Sequence, residues 1–391
     1  MSLNLIVTSD NYPTPSAPNF GTFLSVLVTE WARAGGRVDV VAPVARFSRQ
    51  PSRLLWTQPA PLPTPERIRV SHPLFTSLSN GRLGPFSARE LGIQSFVRSA
   101  ARAAMKMSPN PDLAYGHFLY RGGAAALRIA EHFTIPAVVA LGEATFDDYE
   151  QDLGLERIKQ DLSRFRGIVA VSELIRDRCI ERFAVRPERI RVFPNGIDFT
   201  LFKPMDRREA RKGLGLPIDR PIIAFVGHFI ERKGPMRVME SLRRHPELGG
   251  VFIGDGPQKP TGEQVLFAAP AVHEDIPRWI AACDVFVLPT LAEGSCNALI
   301  EAMACGRAIV TSEIASIRAL TGNEAVSLVD PMNVDAISQA VDHLVCNDDA
   351  RNTLERRALE RSRGYSLEAR AKKILEWLEE LSSDGAEWDP C

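Results

Sequence analysis

Short apolar runs such as RPIIAFVGH, GVFIGDGP, CDVFVLPT and RAIVTS recur along the chain, separated by stretches with helical patterning. Strands that alternate with helices pair most simply side by side in one direction, because each crossover helix carries the chain back across the sheet. LNLIVTS, RVDVVAP, DLAYGHF, PAVVALG, GIVAVS and IRVFP give the same alternation in the first half. After PNGIDFTLFKP the pattern starts again and runs to AVSLVDP. The expected fold class is therefore α/β, with two Rossmann-like, doubly wound parallel-sheet domains facing a cleft lined by strand C-terminal ends. The expected domains are 1–203, 204–365 and a C-terminal helix and tail over 366–391, the helix being the amphipathic SLEARAKKILEWLEELSS. Residues 50–90, rich in Pro, Ser and Arg, read as an irregular excursion.

A chain of 391 residues is long for a single core, which agrees with two domains. Hydrophobic residues at 45% and charged residues at 24% describe a soluble globular protein. No apolar run approaches the ~18 residues a membrane span needs. The start, MSLNLIVTSDNYPTP, has no basic n-region and reads as a first strand rather than a signal peptide. Six cysteines without a CxxC spacing argue against structural zinc and disulfides and fit a reducing cytoplasm. Residues 1–140 hold 14 Lys and Arg against 7 Asp and Glu, although the whole chain has a net charge of −1. A basic first domain suits an anionic membrane or substrate, and solvated arginines with no partner explain the surplus equally well.

The stretch LAEGSCNALIEAMACG follows the strand VFVLPT and leads into a helix. Gly294 and Ser295 stand in the short loop, and the N–H groups of the helix start attract phosphate or diphosphate. Glu293 lies ahead of that start. Glu301 is expected about six residues into the helix, roughly 9 Å along its axis. Carboxylates repel phosphate and accept hydrogen bonds from hydroxyls, so a nucleoside diphosphate sugar fits the spacing, its hydroxyls at both ends and its phosphates between. Read alone, Glu293 is equally a dipole-favoured residue before a helix and Glu301 a surface acid. FVGHFIERKGPMRV offers a second strand-to-helix loop, in which Gly227 is followed by His228, Arg232 and Lys233. Its cations are placed to neutralise a diphosphate, although the loop by itself is also an ordinary basic loop. Asp255, in FIGDGP, reads as a turn residue.

Together these stretches resemble the retaining, GT-B-fold glycosyltransferases of family four, the glycosyl transferases group 1. EGSCNALIEAMACG is similar to their paired-glutamate element, VGHFIERKG to their basic phosphate loop, and VFPNGID to the segment before their second domain. SDNYPTPSAPNFGTF resembles their first loop. The resemblance implies a nucleotide-sugar-dependent transferase acting on a glycan or lipid-linked acceptor in polysaccharide or glycoconjugate biosynthesis, with retention. It implies Glu293 on the donor-sugar hydroxyls, Glu301 on the ribose, and Lys233 with Arg232 on the leaving diphosphate. Gly227, His228, Gly294, Ser295, Cys296, Asn297 and Ala298 complete the donor contacts. Gly21 and His117 lie on the acceptor side of the first domain, and the last helix crosses back to that domain. Domain closure over the donor is expected. No metal and no cofactor are expected, the UDP- or GDP-sugar being a substrate, and D-x-D occurs nowhere in the chain. The implied setting is the cytoplasm, peripheral on the inner membrane face and in contact with anionic lipid, with no nucleic-acid partner.

The sequence departs from the family pattern in three places. His228 stands where many members carry arginine. The loop after the fourth strand reads VVALGEATFDDYE, with Leu141 and Gly142 where a basic residue is usual and Glu143 as the nearest ionisable group. Either Glu143 takes part in the chemistry, or this loop serves the acceptor in an unusual subfamily; the plainer alternative is that Glu143 caps a following helix. Ala319 occupies a position where relatives often place an acid. Two other readings stay open, a nucleotide-sugar epimerase of the same two-domain plan and a non-catalytic nucleotide-binding relative.

Overall fold

The computed structural model describes residues 3–18, 20–46, 61–77, 82–83, 86–142 and 146–383. It divides into two compact units, the first of Met1–Pro194 with Glu368–Cys391 and the second of Asn195–Leu367. The change of unit therefore falls inside the PNGID stretch, between its proline and its asparagine.

Unit 1 is built on β1 (Asn4–Thr8), β2 (Arg37–Val41), β3 (Val44–Ala45), β4 (Ile68–Ser71), β5 (Leu74–Phe75), β6 (Arg82–Leu83), β7 (Phe86–Ser87), β8 (Leu113–His117), β9 (Ala137–Leu141), β10 (Gly167–Ala170) and β11 (Ile190–Val192). Its main sheet has seven strands in the order β11-β10-β9-β8-β1-β2-β4, all parallel. The order reverses between β1 and β8, so a crevice opens at the C-terminal ends of those two strands. The strands β8, β9 and β10 are buried throughout, as apolar runs covered on both faces must be. Each fully buried Val, Leu or Ile contributes ~1.5–3 kcal/mol, which offsets a backbone ordering cost of ~1–2 kcal/mol per residue.

The C-terminal helix, Leu367–Ser383, buries Ala371, Ile374, Trp377 and Leu378 in the same core as Val38, Val40 and Tyr115. The Trp31 indole N–H donates to the Ala371 carbonyl at 3.0 Å, satisfying a polar atom that burial would otherwise leave unpaired.

Unit 2 contains β12 (Ile222–Val226), β13 (Gly249–Ile253), β14 (Val265–Ala269), β15 (Val285–Leu288), β16 (Ala308–Ser312) and β17 (Ser327–Val329). Its sheet is parallel, in the order β14-β13-β12-β15-β16-β17, and the order reverses between β12 and β15. GLGLPI lies at the end of the helix Arg207–Leu214, where Gly215 has φ 67°, so it closes a helix instead of following a strand.

Two strands at sheet edges differ from the sequence expectation, and the two-residue strands Leu74–Phe75, Arg82–Leu83 and Phe86–Ser87 also fall inside the stretch read as irregular. Ile68–Ser71, inside the stretch read as irregular, is the edge of the unit 1 sheet. Val265–Ala269, not recognised as a strand, is the edge of the unit 2 sheet, and all five of its residues are only partly covered. Edge strands are covered less completely and so lack the doubly buried signature that marks the inner strands.

Candidate active site

In unit 2 the loops after β12 and β15 start side by side at the reversal of strand order. The first runs from Gly227 to Gly234, whose φ of 78° starts the helix Pro235–Arg243, with proline in the first turn. The strand ends are held close: the Gly227 N–H donates to the Ile253 carbonyl at 2.9 Å, and a Cβ on Gly254 would stand 2.0 Å from the Gly227 carbonyl oxygen. Only glycine permits that approach.

The second loop, Pro289–Cys296, leads into the helix Asn297–Ala304, whose first turn has no side-chain cap. The Leu291 N–H donates to the Arg232 carbonyl at 2.8 Å, and the Arg232 guanidinium donates to the Ala292 carbonyl at 2.6 Å. The Lys233 ammonium donates to Glu293 Oε1 at 2.5 Å, and the Thr290 hydroxyl donates to the same oxygen at 2.7 Å. Arg232 Nη1 stands 3.8 Å from that carboxylate. Glu293 is only 7% exposed, so its charge is tolerable because two cations and a hydroxyl face it.

Gly294 is buried, Ala298 is partly covered, and the Ser295 hydroxyl is buried without a hydrogen-bond partner. Burial pushes the Cys296 thiol up to about 12, which keeps it neutral. Asn297 accepts a hydrogen bond from the Asn195 side-chain amide at 2.8 Å. The helix begins at Asn297, later than expected, so Glu301 lies about 6 Å along its axis rather than 9 Å. The Glu301 carboxylate has no hydrogen-bond or ion-pair partner among the described residues, and burial pushes it up to about 7. His228 is exposed, and its Nδ1 lies 3.2 Å from Asp255 Oδ1. Asp255, read from the sequence as a turn residue, therefore meets the histidine.

Unit 1 presents its own crevice residues at the reversal between β1 and β8. Gly21, at φ 71°, starts the helix Thr22–Arg33, and a Cβ there would stand 2.4 Å from the Asn11 carbonyl group. His117 ends β8, with Phe23 and Phe118 against its ring at centroid distances of 5.0 and 4.6 Å. Its Nδ1 is buried without a partner. Burial, and then the nearby Arg370 charge, push this imidazole down to about 3, so it stays neutral at ordinary pH. Phe118 and Arg121 follow at φ 66° and 67°. Such conformations cost ~1–3 kcal/mol each in a non-glycine residue, and an ion pair at 2.9 Å from Arg121 to Asp10 helps hold them. Gly142 follows the strand β9 and is partly covered, while Glu143 lies outside the described residues.

The structure therefore brings Arg232, Lys233 and Glu293 into direct contact, with Ser295, Cys296 and Asn297 on the same loop as Glu293. His228 turns to Asp255 instead. Sequence reasoning missed Thr290 and Asn195; their positions beside β15 and in PNGID were the available signal.

Residues 21–201 match Glycosyltransferase Family 4, and residues 220–347 match Glycosyl transferases group 1. The chain belongs to glycosyltransferase family four. This glycosyltransferase is 27% identical over 342 residues to TuaC of Bacillus subtilis, a protein named for a glycosyltransferase role in teichuronic acid biosynthesis. That match covers 84% of the present chain and 86% of TuaC. It is 29% identical over 207 residues to D-inositol 3-phosphate glycosyltransferase of Mycobacterium tuberculosis, covering 48% of this chain and 43% of that one. Among solved structures, sucrose-phosphate synthase of Thermosynechococcus elongatus matches at a TM-score of 0.77 and 21% identity, covering 97% of this chain and 99% of that one. Anabaena HepE in complex with UDP matches at 0.72 and 18% identity, covering 97% and 100%. The enzyme has the GT-B fold and is a nucleotide-sugar-dependent transferase. Among the described residues no helix is long and apolar enough to cross a membrane.

Proposed function

We propose that the enzyme transfers a sugar from a UDP- or GDP-sugar to a glycan or lipid-linked acceptor in polysaccharide or glycoconjugate biosynthesis, with retention and without metal. The observation that carries this reading is the Lys233–Glu293 contact at 2.5 Å at the strand-order reversal of unit 2. It puts a cation and a carboxylate together beside an uncapped helix start, the combination a diphosphate bonded to a sugar requires.

In this reading Lys233, Arg232 and the N–H groups after Ser295 receive the charge that develops on the leaving diphosphate. Gly227, His228, Gly294, Cys296, Asn297 and Ala298 line the phosphates and sugar, Glu293 takes the sugar hydroxyls, and Glu301 takes the ribose. The free, half-covered carboxylate of Glu301 supports that last role, because hydroxyl donors would complete its hydrogen bonding. Gly21 and neutral His117 serve the acceptor side from unit 1.

UDP is the nucleotide favoured here, since HepE was solved with UDP and with UDP-glucose. The name of TuaC supports a cell-envelope polysaccharide as the product class. Action at the cytoplasmic membrane face is part of the same proposal, supported by the basic surplus of residues 1–140. A thermal-shift screen of UDP-, GDP- and ADP-sugars tests the donor assignment. A UDP-sugar is expected to stabilise the protein most, and a folded protein stabilised by none of them would refute the reading.

A further inference from the structure

Unit 1 carries a groove of about 550 Å³ that shares no residue with the candidate site. It lies between the helix Ala88–Met107 and the segment 71–76. The Ser99 hydroxyl donates to the Leu74 carbonyl at 2.9 Å, and the Thr76 N–H donates to the Ser95 hydroxyl at 3.0 Å, so the two walls are tied together.

Arg98, Arg102 and Lys106 line the groove at four-residue intervals on the helix, which places them on one face, about 6 Å apart in rise. All three are exposed. None forms an ion pair or hydrogen bond among the described residues, and no described acidic residue lines the groove. Like charges at this spacing repel one another along a helix.

The other side of the same helix shows how different this is. A second cavity, of about 490 Å³, is lined by Glu90, Glu131, Asp152 and Asp161 as well as arginines. There Arg89 meets Asp152 at 2.5 Å, Arg157 meets Asp161 at 2.9 Å, and Arg128 and Arg164 both meet Glu131. Arg98 stands at the margin of both cavities. Unit 1 supplies its arginines with carboxylates on one side of this helix and leaves a cationic row on the other.

We propose that this groove is a binding site for a phosphate-bearing ligand, separate from the donor site, with Arg98, Arg102 and Lys106 as the groups that contact phosphate. Guanidinium forks and an ammonium in one row match successive phosphate oxygens, and binding would relieve the repulsion along the helix. The phosphate belongs either to a soluble ligand or to a lipid headgroup. This does not depend on the donor reading, and its headgroup branch rests on the membrane contact proposed above, to which it assigns residues.

Two probes separate the sources: inorganic tripolyphosphate followed by isothermal titration, and flotation with phosphatidylglycerol–phosphatidylcholine vesicles. Each is read as the difference between the full chain and Arg98→Gln/Arg102→Gln/Lys106→Gln, so that the phosphate loop of unit 2 contributes equally to both. Glutamine preserves helix propensity, and circular dichroism checks that the variant is folded. The triple variant is expected to bind at least one probe tenfold or more weakly, with UDP-sugar stabilisation unchanged. A loss confined to tripolyphosphate identifies a soluble ligand, and a loss confined to vesicles identifies a headgroup. Equal binding by the two proteins for both probes, or binding of neither probe by the unsubstituted chain, would overturn the proposal.

Discussion

Lys233 and Glu293 are sixty residues apart in sequence, and the ammonium of one lies 2.5 Å from the carboxylate of the other. Their side chains are 14% and 7% exposed, so each charge depends on its partner. The pair fixes the two loops before any ligand arrives and sets the cation beside the helix start at Asn297. Preorganisation of this kind lowers the ordering cost at the moment charge develops.

Removing one partner should therefore be worse than removing both. Lys233→Ala is expected to cost ~3 kcal/mol or more in unfolding free energy, because Glu293 is left buried without its nearest cation. Lys233→Met/Glu293→Leu should recover most of that stability. Both variants should lose at least 100-fold in transfer, since neither can stabilise the leaving diphosphate. Urea unfolding and turnover, measured on the same preparations, check this. A double variant less stable than Lys233→Ala would remove the pair as the clamp.

In the ribose role proposed for it, Glu301 should make donor binding sensitive to pH. Its carboxyl is raised to about 7 by burial. A raised acid contributes stability that is fully present below its unfolded value and is lost as pH climbs from there to about 7. Glu301→Gln should thus gain stability relative to the unsubstituted protein between pH 5 and pH 8. Under the proposed ribose contact, donor binding runs the opposite way, because hydroxyls donate to the ionised form. Affinity for the nucleotide sugar should rise between pH 6 and pH 8 and be flatter in Glu301→Gln. Titration calorimetry at three pH values measures it, and parallel profiles for the two proteins would exclude Glu301 from the site.

Much of this site can be read from the sequence, for a physical reason. VGHFIERKG and PTLAEGSCN each begin where a doubly buried strand stops and end where a helix starts, so loop, glycine and charge all stand out. The contact between Lys233 and Glu293 does not stand out, since nothing in either stretch specifies that β12 and β15 are neighbours. That adjacency comes from the strand order of the whole sheet. Asn195 was hidden for a similar reason, its partner Asn297 being 102 residues away. Ile68–Ser71 and Val265–Ala269 were hidden because edge strands, covered less completely, carry a weaker hydrophobic pattern.

Asp284 holds unit 2 together below the site. Its Oδ2 accepts from Arg211 Nη2 and from the Ile222 N–H, both at 2.7 Å, and its Oδ1 lies 3.2 Å from Arg207 Nη1. These bonds fasten the helix Arg207–Leu214 to the start of β12. Asp284→Ala leaves the Ile222 N–H unpaired and the buried Arg211 without its counter-charge, although Arg211 keeps its bonds to the Ala282 and Ile218 carbonyls, and this should cost ~3–5 kcal/mol. Nucleotide affinity of the protein that remains folded should be within a factor of three of the original, because the partners of Asp284, namely Arg207, Arg211 and the Ile222 N–H, lie outside the proposed donor site. A chemical denaturation curve combined with a binding isotherm tests both halves, and an unchanged unfolding midpoint would contradict the role.

His117 should make unit 1 acid-labile without shaping the pH profile of transfer. The imidazole is pushed down to about 3 by burial and by the Arg370 charge, against an unfolded value of 6.5. A lowered histidine contributes stability above its unfolded value and loses it as pH falls from 6.5 towards 3, by at most about 1.4 kcal/mol per pH unit for one proton. His117→Gln should therefore show a shallower loss of stability between pH 6 and pH 4 than the unsubstituted chain. Between pH 6 and pH 9 the ring is neutral throughout, so its protonation cannot appear in the rate profile. Imidazole resonances followed by NMR provide the direct check. A titration midpoint for His117 near 6.5 would show that Arg370 and the surrounding aromatic rings do not shield it as the geometry requires.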